Sequence, residues 1–270
     1  MASHLTTQHV VLAERPELRP TLLKAAFFFI RSGQPRSAHS LTASLRDVWA
    51  DELGPDHPDT LSCMQYFGHA TADVGDIVGA LTFVKDTFAR RRRILGDDHP
   101  DTLHAANDLA ATTSRLGKHA EAHQMYEDTL RRRRNILGDN HPDTLQTAHG
   151  LAMTLHDLRE GDEAHRMVGD TLRRQRNTLG DNHPNTLQTA HGLAITLHSL
   201  RRHSEAAELA EDVRNRQRRT LGDDHPDTVD ATESLAAIGT AMGKRFAAQR
   251  LLANQRKQAK RRPNRKKQRP

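Results

Sequence analysis

Residues 95–103 read Leu-Gly-Asp-Asp-His-Pro-Asp-Thr-Leu, and close copies of this segment recur along the chain. The copies stand 42 residues apart and begin at Leu53, Leu95, Leu137, Leu179 and Leu221. One further step back brings Pro16 into register with Pro58, which marks a degraded sixth unit at the N-terminus. A fixed period of this length indicates a repeat architecture in which each unit packs on its neighbours.

The repeated segment predicts the end of one helix and the start of the next. Gly96 follows a leucine that closes a helical pattern, and glycine takes a positive φ without a Cβ clash. Pro100 suits the first turn of a helix, and Asp101 favours the positive end of the helix dipole. We interpret the histidines at 57, 99, 141, 183 and 225 as structural. Successive units lie roughly 20 Å apart, too far to share a metal with ligands at about 2 Å.

Two columns of small residues predict where the two helices of each unit cross, because small side chains let helices approach closely. The first helices carry Ala26, Gly68, Ala110, Ala152, Ala194 and Ala236, and the second helices carry Ala38, Ala80, Ala122, Ala164, Ala206 and Ala248. We therefore predict an all-α fold of antiparallel helix pairs.

Composition agrees with thin helical layers. Hydrophobic residues make up 36% of the chain and aromatic residues only 4%, which is little for a thick core. The single cysteine, Cys63, cannot form an intramolecular disulfide. The apolar run at residues 25–30 is too short to cross a bilayer, and residues 1–16 lack the apolar stretch of a signal peptide. We expect a cytoplasmic protein with no membrane contact.

The predicted organisation has three parts: residues 1–52 as a degenerate N-terminal repeat or cap, residues 53–262 as five units, and residues 263–270 as a disordered basic tail. Ten Lys or Arg and no acid lie from Arg250 onward, so this end accounts for the whole net charge of +6. Polyanion binding is expected from Lys260, Arg261, Arg262, Arg265, Lys266 and Lys267. Because this segment has no aromatic residue for base stacking, it would attract nucleic acid or acidic proteins without reading a base sequence.

Two arginine runs, Arg90–Arg93 and Arg131–Arg134, end second helices, where cations offset the negative end of the helix dipole. Four consecutive residues point all around a helix. We interpret both runs as a solvated, ion-paired surface, and contact with nucleic acid is the alternative.

The period, the connector and the small-residue columns together resemble the tetratricopeptide repeat in its long, kinesin-light-chain-like form, over residues 11–260. The same form occurs in the C-terminal arrays of STAND (NB-ARC) ATPases. The resemblance implies a right-handed superhelical solenoid whose first helices line a concave groove. It does not extend to the ATPase, because no Gly-x-x-x-x-Gly-Lys-[Ser/Thr] loop is present.

The resemblance maps the groove onto one face of the first helices in three units. On this face the residues are separated by three, four and seven positions. They are His104, Asn107 and Arg115, then Gln146, His149, Met153, His156 and Asp157, then Gln188, His191, Ile195 and His198. Asn and neutral His offer both a donor and an acceptor to a peptide backbone. A merely solvated surface is the alternative interpretation.

Four of these groove residues are histidines: His149, His156, His191 and His198. If exposed, each would titrate near pH 6.5, so the groove would gain positive charge between about pH 8 and pH 5.5. Two histidines seven positions apart are separated by about 10.5 Å along one helix, too far to share a metal. We expect neither a metal nor a cofactor.

No catalytic motif is present, since the chain has no Gly-x-Ser-x-Gly, His-Glu-x-x-His or Gly-rich phosphate loop. We therefore expect a non-enzymatic adaptor that binds a peptide or partner protein in the groove. Two alternatives stay open: a nucleic-acid-associated protein anchored by the basic tail, and a stand-alone sensor or regulatory array derived from a STAND ATPase.

Overall fold

The computed structural model describes residues 16–244, 247 and 251–255, and within these ranges the chain forms helices and turns without a strand. A 3-10 turn, Pro16–Leu18, precedes the first α-helix. The α-helices are α1 (Arg19–Arg31), α2 (Pro35–Leu53), α3 (Pro58–Asp73), α4 (Ile77–Leu95), α5 (Pro100–Arg115), α6 (His119–Leu137), α7 (Pro142–Asp157), α8 (Gly161–Leu179), α9 (Pro184–Ser199), α10 (His203–Thr220) and α11 (Pro226–Ala241). In this part of the chain, no helix is long and apolar enough to cross a membrane.

The chain divides into two compact units, residues 1–136 and 137–270. In the first unit α1 packs on α2, α2 on α3, α3 on α4 and α4 on α5. In the second unit the consecutive helices from α7 through α11 pack on one another in the same way. First helices of successive pairs also contact one another, α1 with α3 and α3 with α5 in one unit, α7 with α9 and α9 with α11 in the other. The predicted all-α fold of packed helix pairs is confirmed.

The repeated connector has the structure that its residues predict. Gly96 has φ 86° and ψ 168°, a backbone conformation that is essentially confined to glycine. His99 is the N-cap of α5, and its Nδ1 accepts a hydrogen bond from the backbone N–H of Asp101 at 3.1 Å. The same cap recurs at His57, His141, His183 and His225. The structural interpretation of these histidines is confirmed.

The small-residue columns lie where the helices cross. Ala110, Ala122, Ala152 and Ala164 are 0% exposed. A Cβ added at Gly68 would stand 3.0 Å from Val84 Cγ2, tighter than an ordinary contact. Side-chain volume at the crossings is therefore limited to a methyl group or less. Ala248 lies outside the described residues.

One arginine of each run is buried, which corrects the interpretation of a wholly solvated surface. Arg91 is 4% exposed and Arg133 is 1% exposed. Arg91 Nη1 donates to Gln65 Oε1 at 2.6 Å and to the carbonyl of Asp101 at 3.1 Å. The other units place Trp49, Gln175 and Gln217 at the same repeat position, and all three are buried. At this position Arg91 thus ties α4 to both α3 and α5, while the equivalent side chains of the other units are large and buried.

The remaining arginines of the runs form the expected ion pairs. Arg90 lies 2.8 Å from Asp86, one turn back on its own helix, and 3.0 Å from Asp56 in the preceding connector. Arg132 repeats this geometry, 2.8 Å from Asp128 and 2.7 Å from Asp98. These exposed pairs brace each second helix against its connector, each with a modest stabilisation of about 0–1 kcal/mol.

Overpacking a helix crossing should destabilise the fold. Ala152→Leu places extra methyl groups in a fully buried site, and we expect it to lower the free energy of unfolding by about 1–3 kcal/mol. Gln146→Leu on the same helix is the control, because Gln146 is exposed and its replacement should change stability by less than about 0.5 kcal/mol. Urea unfolding followed by circular dichroism measures both. Equal stabilities would contradict the assigned crossing.

Loss of a connector cap should also weaken the fold. His99→Ala removes the acceptor for the Asp101 N–H, and we expect a cost of about 0.5–2 kcal/mol in the same unfolding measurement. His99→Asn retains a good N-cap acceptor and should recover most of this loss. If both substitutions cost the same, the ring packs rather than caps.

Candidate functional site

The predicted groove residues lie on the first helices α5, α7 and α9, and they differ in how far they are exposed. Exposed residues are Arg115, Gln146, Asp157 and Gln188; partly buried residues are His104, His149, Met153, His156, His191, Ile195 and His198; and Asn107 is buried. The groove face is therefore a packed layer with exposed polar groups on it. Which of these residues touch a ligand stays a prediction.

In the first unit, the groove side of α3 and α5 is joined by a carboxylate that the sequence analysis did not single out. Asp108 Oδ2 lies 2.9 Å from His69 Nε2 and accepts a second hydrogen bond from the Gln65 amide. The Asp108 side chain is 12% exposed and the His69 ring 38% exposed. Both α3 residues are held by one carboxylate of the next first helix.

The charges of this pair support each other. The negative charge of Asp108 raises the pKa of His69, although burial opposes it. Burial alone would raise the pKa of Asp108, but the charge of His69 and the hydrogen bonds from His69 and Gln65 outweigh it and lower that pKa. The contact between α3 and α5 therefore favours the charged form of both partners, next to the predicted groove positions.

Arg115 also bridges α5 to α3, so its guanidinium has fewer free donors for a ligand than its exposure suggests. Its Nη1 donates to Asp73 Oδ1 at 3.1 Å, and its Nη2 donates to the carbonyl of Ala72 at 2.8 Å. Arg115 thus covers the C-terminal end of α3, where a cation is favourable.

An exposed aromatic residue occupies the groove position of α1. Phe27 stands 126 residues before Met153, which is three repeats, and is 51% exposed. Its ring lies 6.1 Å from the ring of Tyr66. The 42-residue spacing is the sequence signal that places Phe27 among the predicted groove positions, in the degraded N-terminal unit.

In the second unit, glycine lets the groove side chains of one first helix pack onto the next. A Cβ added at Gly192 on α9 would stand 2.7 Å from Met153 Sδ and 3.1 Å from His149 Cε1. Gly192 occupies the repeat position of Asp108. At this repeat position, the carboxylate of Asp108 bonds to the preceding first helix in the first unit. In the second unit, the absence of a side chain at Gly192 lets Met153 and His149 pack against the helix backbone.

The expectation that His149 titrates near pH 6.5 is wrong. Burial, and secondarily the charge of His191, lower the pKa of His149 to about 4. Burial also lowers the pKa of His191, whose Nε2 lies 2.9 Å from Ser234 Oγ on α11. Both rings contact the next first helix, and burial favours the neutral form of each.

His198 is similarly engaged at the other end of its helix. Its Nδ1 lies 3.0 Å from Nδ1 of His203, and the two rings are 4.8 Å apart. Burial, and then the charges of His203 and Arg201, lower the pKa of His198. The predicted gain of charge across the groove above pH 5.5 is therefore incorrect for His149 and diminished at His191 and His198.

The single thiol contributes nothing to this surface. Cys63 is fully buried, and burial raises its pKa to about 12, so it stays protonated and unreactive. The predicted polyanion-binding residues, from Lys260 to Lys267, lie outside the described residues.

Acid should destabilise the second unit through His149. Its pKa is lower in the folded chain than the unfolded value near 6.5, so its contribution to stability is complete above about pH 6.5 and is lost as the pH falls toward 4. We expect His149→Asn to remove about 2–3 kcal/mol of the difference in unfolding free energy between pH 7 and pH 4. Urea titrations of both proteins at several pH values measure this, since other titrating groups cancel in the comparison. Parallel pH profiles would show that the ring is solvated.

Family models identify the repeat directly. Tetratricopeptide-repeat models match residues 60–101 and 102–143, and a second tetratricopeptide-repeat model matches residues 143–219. Together these matches cover more than half of the chain. A comparison with curated protein sequences found no match.

Solved structures of similar fold include other repeat arrays. One is a structure of the "nearly identical TPR-like repeats" of a kinesin light chain from Podosopora anserina, whose sequence is 25% identical to this chain. The TM-score is 0.58, and the match covers 76% of this chain and 97% of that one. BtubC from P. vanneervenii is 15% identical, with a TM-score of 0.60 over 93% and 96%. NprR, solved with its cognate peptide NprX, is 14% identical, with a TM-score of 0.70 over 90% and 67%. The chain belongs to the tetratricopeptide-repeat family, and its fold is that of the kinesin-light-chain-like arrays.

Proposed function

We propose that this protein is an adaptor that binds an extended peptide, or an extended segment of a partner protein, on the groove face of its first helices. The tetratricopeptide repeat is a scaffold for protein interaction, and it is generally not catalytic. The finer proposal concerns the surface made by α7 and α9 in the second unit.

The observation that carries the proposal is a repeated pair of exposed amides. Gln146 and Gln188 are exposed and occupy the same position of successive first helices. Met153 and Ile195, two turns further along the same faces, are only partly buried. Each amide offers a donor and an acceptor to a peptide backbone, and the apolar strip beside them can take a ligand side chain.

Structural neighbours support a peptide as the ligand. NprR was solved with its cognate peptide, a Rap protein with competence and sporulation factor, and a Rap conjugation gene regulator with the Phr* peptide. Their identities to this chain are 14%, 14% and 12%, so the likeness establishes the fold, and peptide binding comes to this chain by proposal.

The first unit offers a different kind of contact. The exposed ring of Phe27 occupies the predicted groove position of α1 and provides apolar surface beside Tyr66. Aromatic residues dominate the energy of many interfaces, because they bury a large area with few rotatable bonds. We assign this site to an apolar side chain of the ligand.

The two alternative functions rest on the sequence alone. The basic tail lies outside the described residues. A STAND protein with a tetratricopeptide-repeat sensor from Pyrococcus horikoshii shares the fold at 11% identity, with a TM-score of 0.54 over 36% of its length. That likeness does not extend to a regulatory role.

A peptide-display selection against the full chain tests the proposal. Selected peptides should bind wild type and lose about tenfold or more in affinity when Gln146 and Gln188 are both replaced by Ala, because two hydrogen bonds to the backbone disappear. Fluorescence anisotropy measures the affinity.

Matched controls separate the groove from other surfaces. Arg166→Ala with Arg173→Ala changes two exposed residues of the second helix α8 and should leave binding unchanged. Deletion of residues 256–270 should also leave it unchanged. Selected peptides that ignore the glutamine variant but require the basic segment would overturn the proposal in favour of the tail.

A further inference from the structure

A small cavity lies in the second unit, beside the last repeat. Its volume is about 130 Å³, and α10, α11 and residues 251–255 contribute to its wall. The polar lining consists of Arg214, Arg218, Asp223, Thr228, Thr232, Asn254 and Gln255. None of these residues belongs to the predicted groove.

Three polar atoms of this lining are buried without a hydrogen-bond partner among the described residues: Arg214 Nε, Thr228 Oγ1 and Gln255 Nε2. The whole Thr228 residue is 1% exposed. A buried donor without a partner is costly, and native structures have few of them. The equivalent hydroxyls of Thr102, Thr144 and Thr186 also lack a partner, so Arg214 Nε and Gln255 Nε2 are the atoms that distinguish this cavity. Two such donors, with the Thr228 hydroxyl beside them, indicate a ligand that carries several acceptors.

The charges of the lining favour an anion. Arg218 Nε donates to Asp223 Oδ1 at 2.5 Å, so these two charges neutralise each other. Arg214 forms a hydrogen bond to Asn215 but no ion pair with any residue that the structure describes. Burial, and then the charge of Arg218, lower the pKa of Arg214. The charges of Glu211 and Asp223 act in the opposite direction. Among the residues that line the cavity, Arg214, Arg218 and Asp223 together leave a net charge of +1.

The repeat pattern shows that this arginine is not required for packing. The same position holds Phe88, Leu130 and Leu172 in the three preceding units. An apolar side chain thus satisfies the fold at this place in three units, and arginine replaces it at Arg214 and at Arg46 of the degraded N-terminal unit.

We propose that this cavity binds a small oxyanion, held by Arg214 Nε, Thr228 Oγ1 and Gln255 Nε2. Its volume equals roughly four water molecules, which suits a carboxylate or a phosphate group. The net charge of +1 on the lining matches one negative charge, and hydrogen bonds from a guanidinium to such oxygens are among the stronger ones in proteins. Binding would fasten residues 251–255 to α10 and α11, and so stabilise the end of the array.

Isothermal titration calorimetry on the full chain tests the site, with inorganic phosphate and acetate as probes at ionic strength fixed with sodium chloride. Arg214→Leu introduces the side chain found at Leu172 and should lower the affinity for the probe by about tenfold or more. Thr228→Val removes one donor at constant shape and should weaken it in the same direction. Arg166→Leu, which removes an equal charge from an exposed site outside the cavity, should bind as wild type does.

The two probes distinguish the sources of the oxyanion. Saturable binding of phosphate alone identifies a free phosphate site, and binding of acetate as well identifies a site that accepts a carboxylate of a partner. All variants retain the basic tail, so any heat from the tail appears equally in each. Absence of saturable binding in wild type, or equal affinity in Arg214→Leu, overturns the proposal.

Discussion

Each helix pair depends on a close crossing between two small residues, such as Ala152 on α7 and Ala164 on α8, both 0% exposed. Helices that touch at a methyl group exclude any larger side chain, so the crossing fixes how the pair packs. The period then fixes which side chains meet the next pair. A thin layer of alanine, leucine and threonine buries little apolar surface, so unpaired backbone N–H and C=O groups at the helix ends would be a large cost. The histidine cap and the glycine turn of each connector reduce this cost.

Once crossing and connector are fixed, the other positions of the repeat are free to change chemistry. The buried position of the second helix holds arginine at 91 and 133 but glutamine at 175 and 217. The position that joins neighbouring first helices is Asp108 in the first unit and Gly192 in the second. An ionised carboxylate in one unit and a bare backbone in the other leave the two units with different groove surfaces on one scaffold.

The repeat, the position of the connector between helices and the structural character of its histidines followed from the sequence because they depend on local chemistry: a glycine that needs positive φ, a proline at the first turn, and a small side chain at a crossing. The N-cap hydrogen bond of each histidine did not. The groove chemistry did not, because it depends on contacts between residues about one repeat apart. His149 was expected to be exposed, yet it packs against Gly192 on the next helix, which lowers its pKa to about 4. Similarly, no local signal indicated that Asp108 would pair with His69, 39 residues away.

In a groove of this kind, the same side chains can either bond to the neighbouring helix or stay free to bind a ligand. A side chain that bonds to the next first helix, such as His191 to Ser234 at 2.9 Å, stabilises the array but has less hydrogen-bonding capacity left for a ligand. A side chain that stays exposed, such as Gln146, keeps that capacity and adds little to stability. Specificity in the second unit should therefore reside in the few exposed groups above the packed layer. The histidines of the same helices, His149 and His191, are instead engaged with the next first helix.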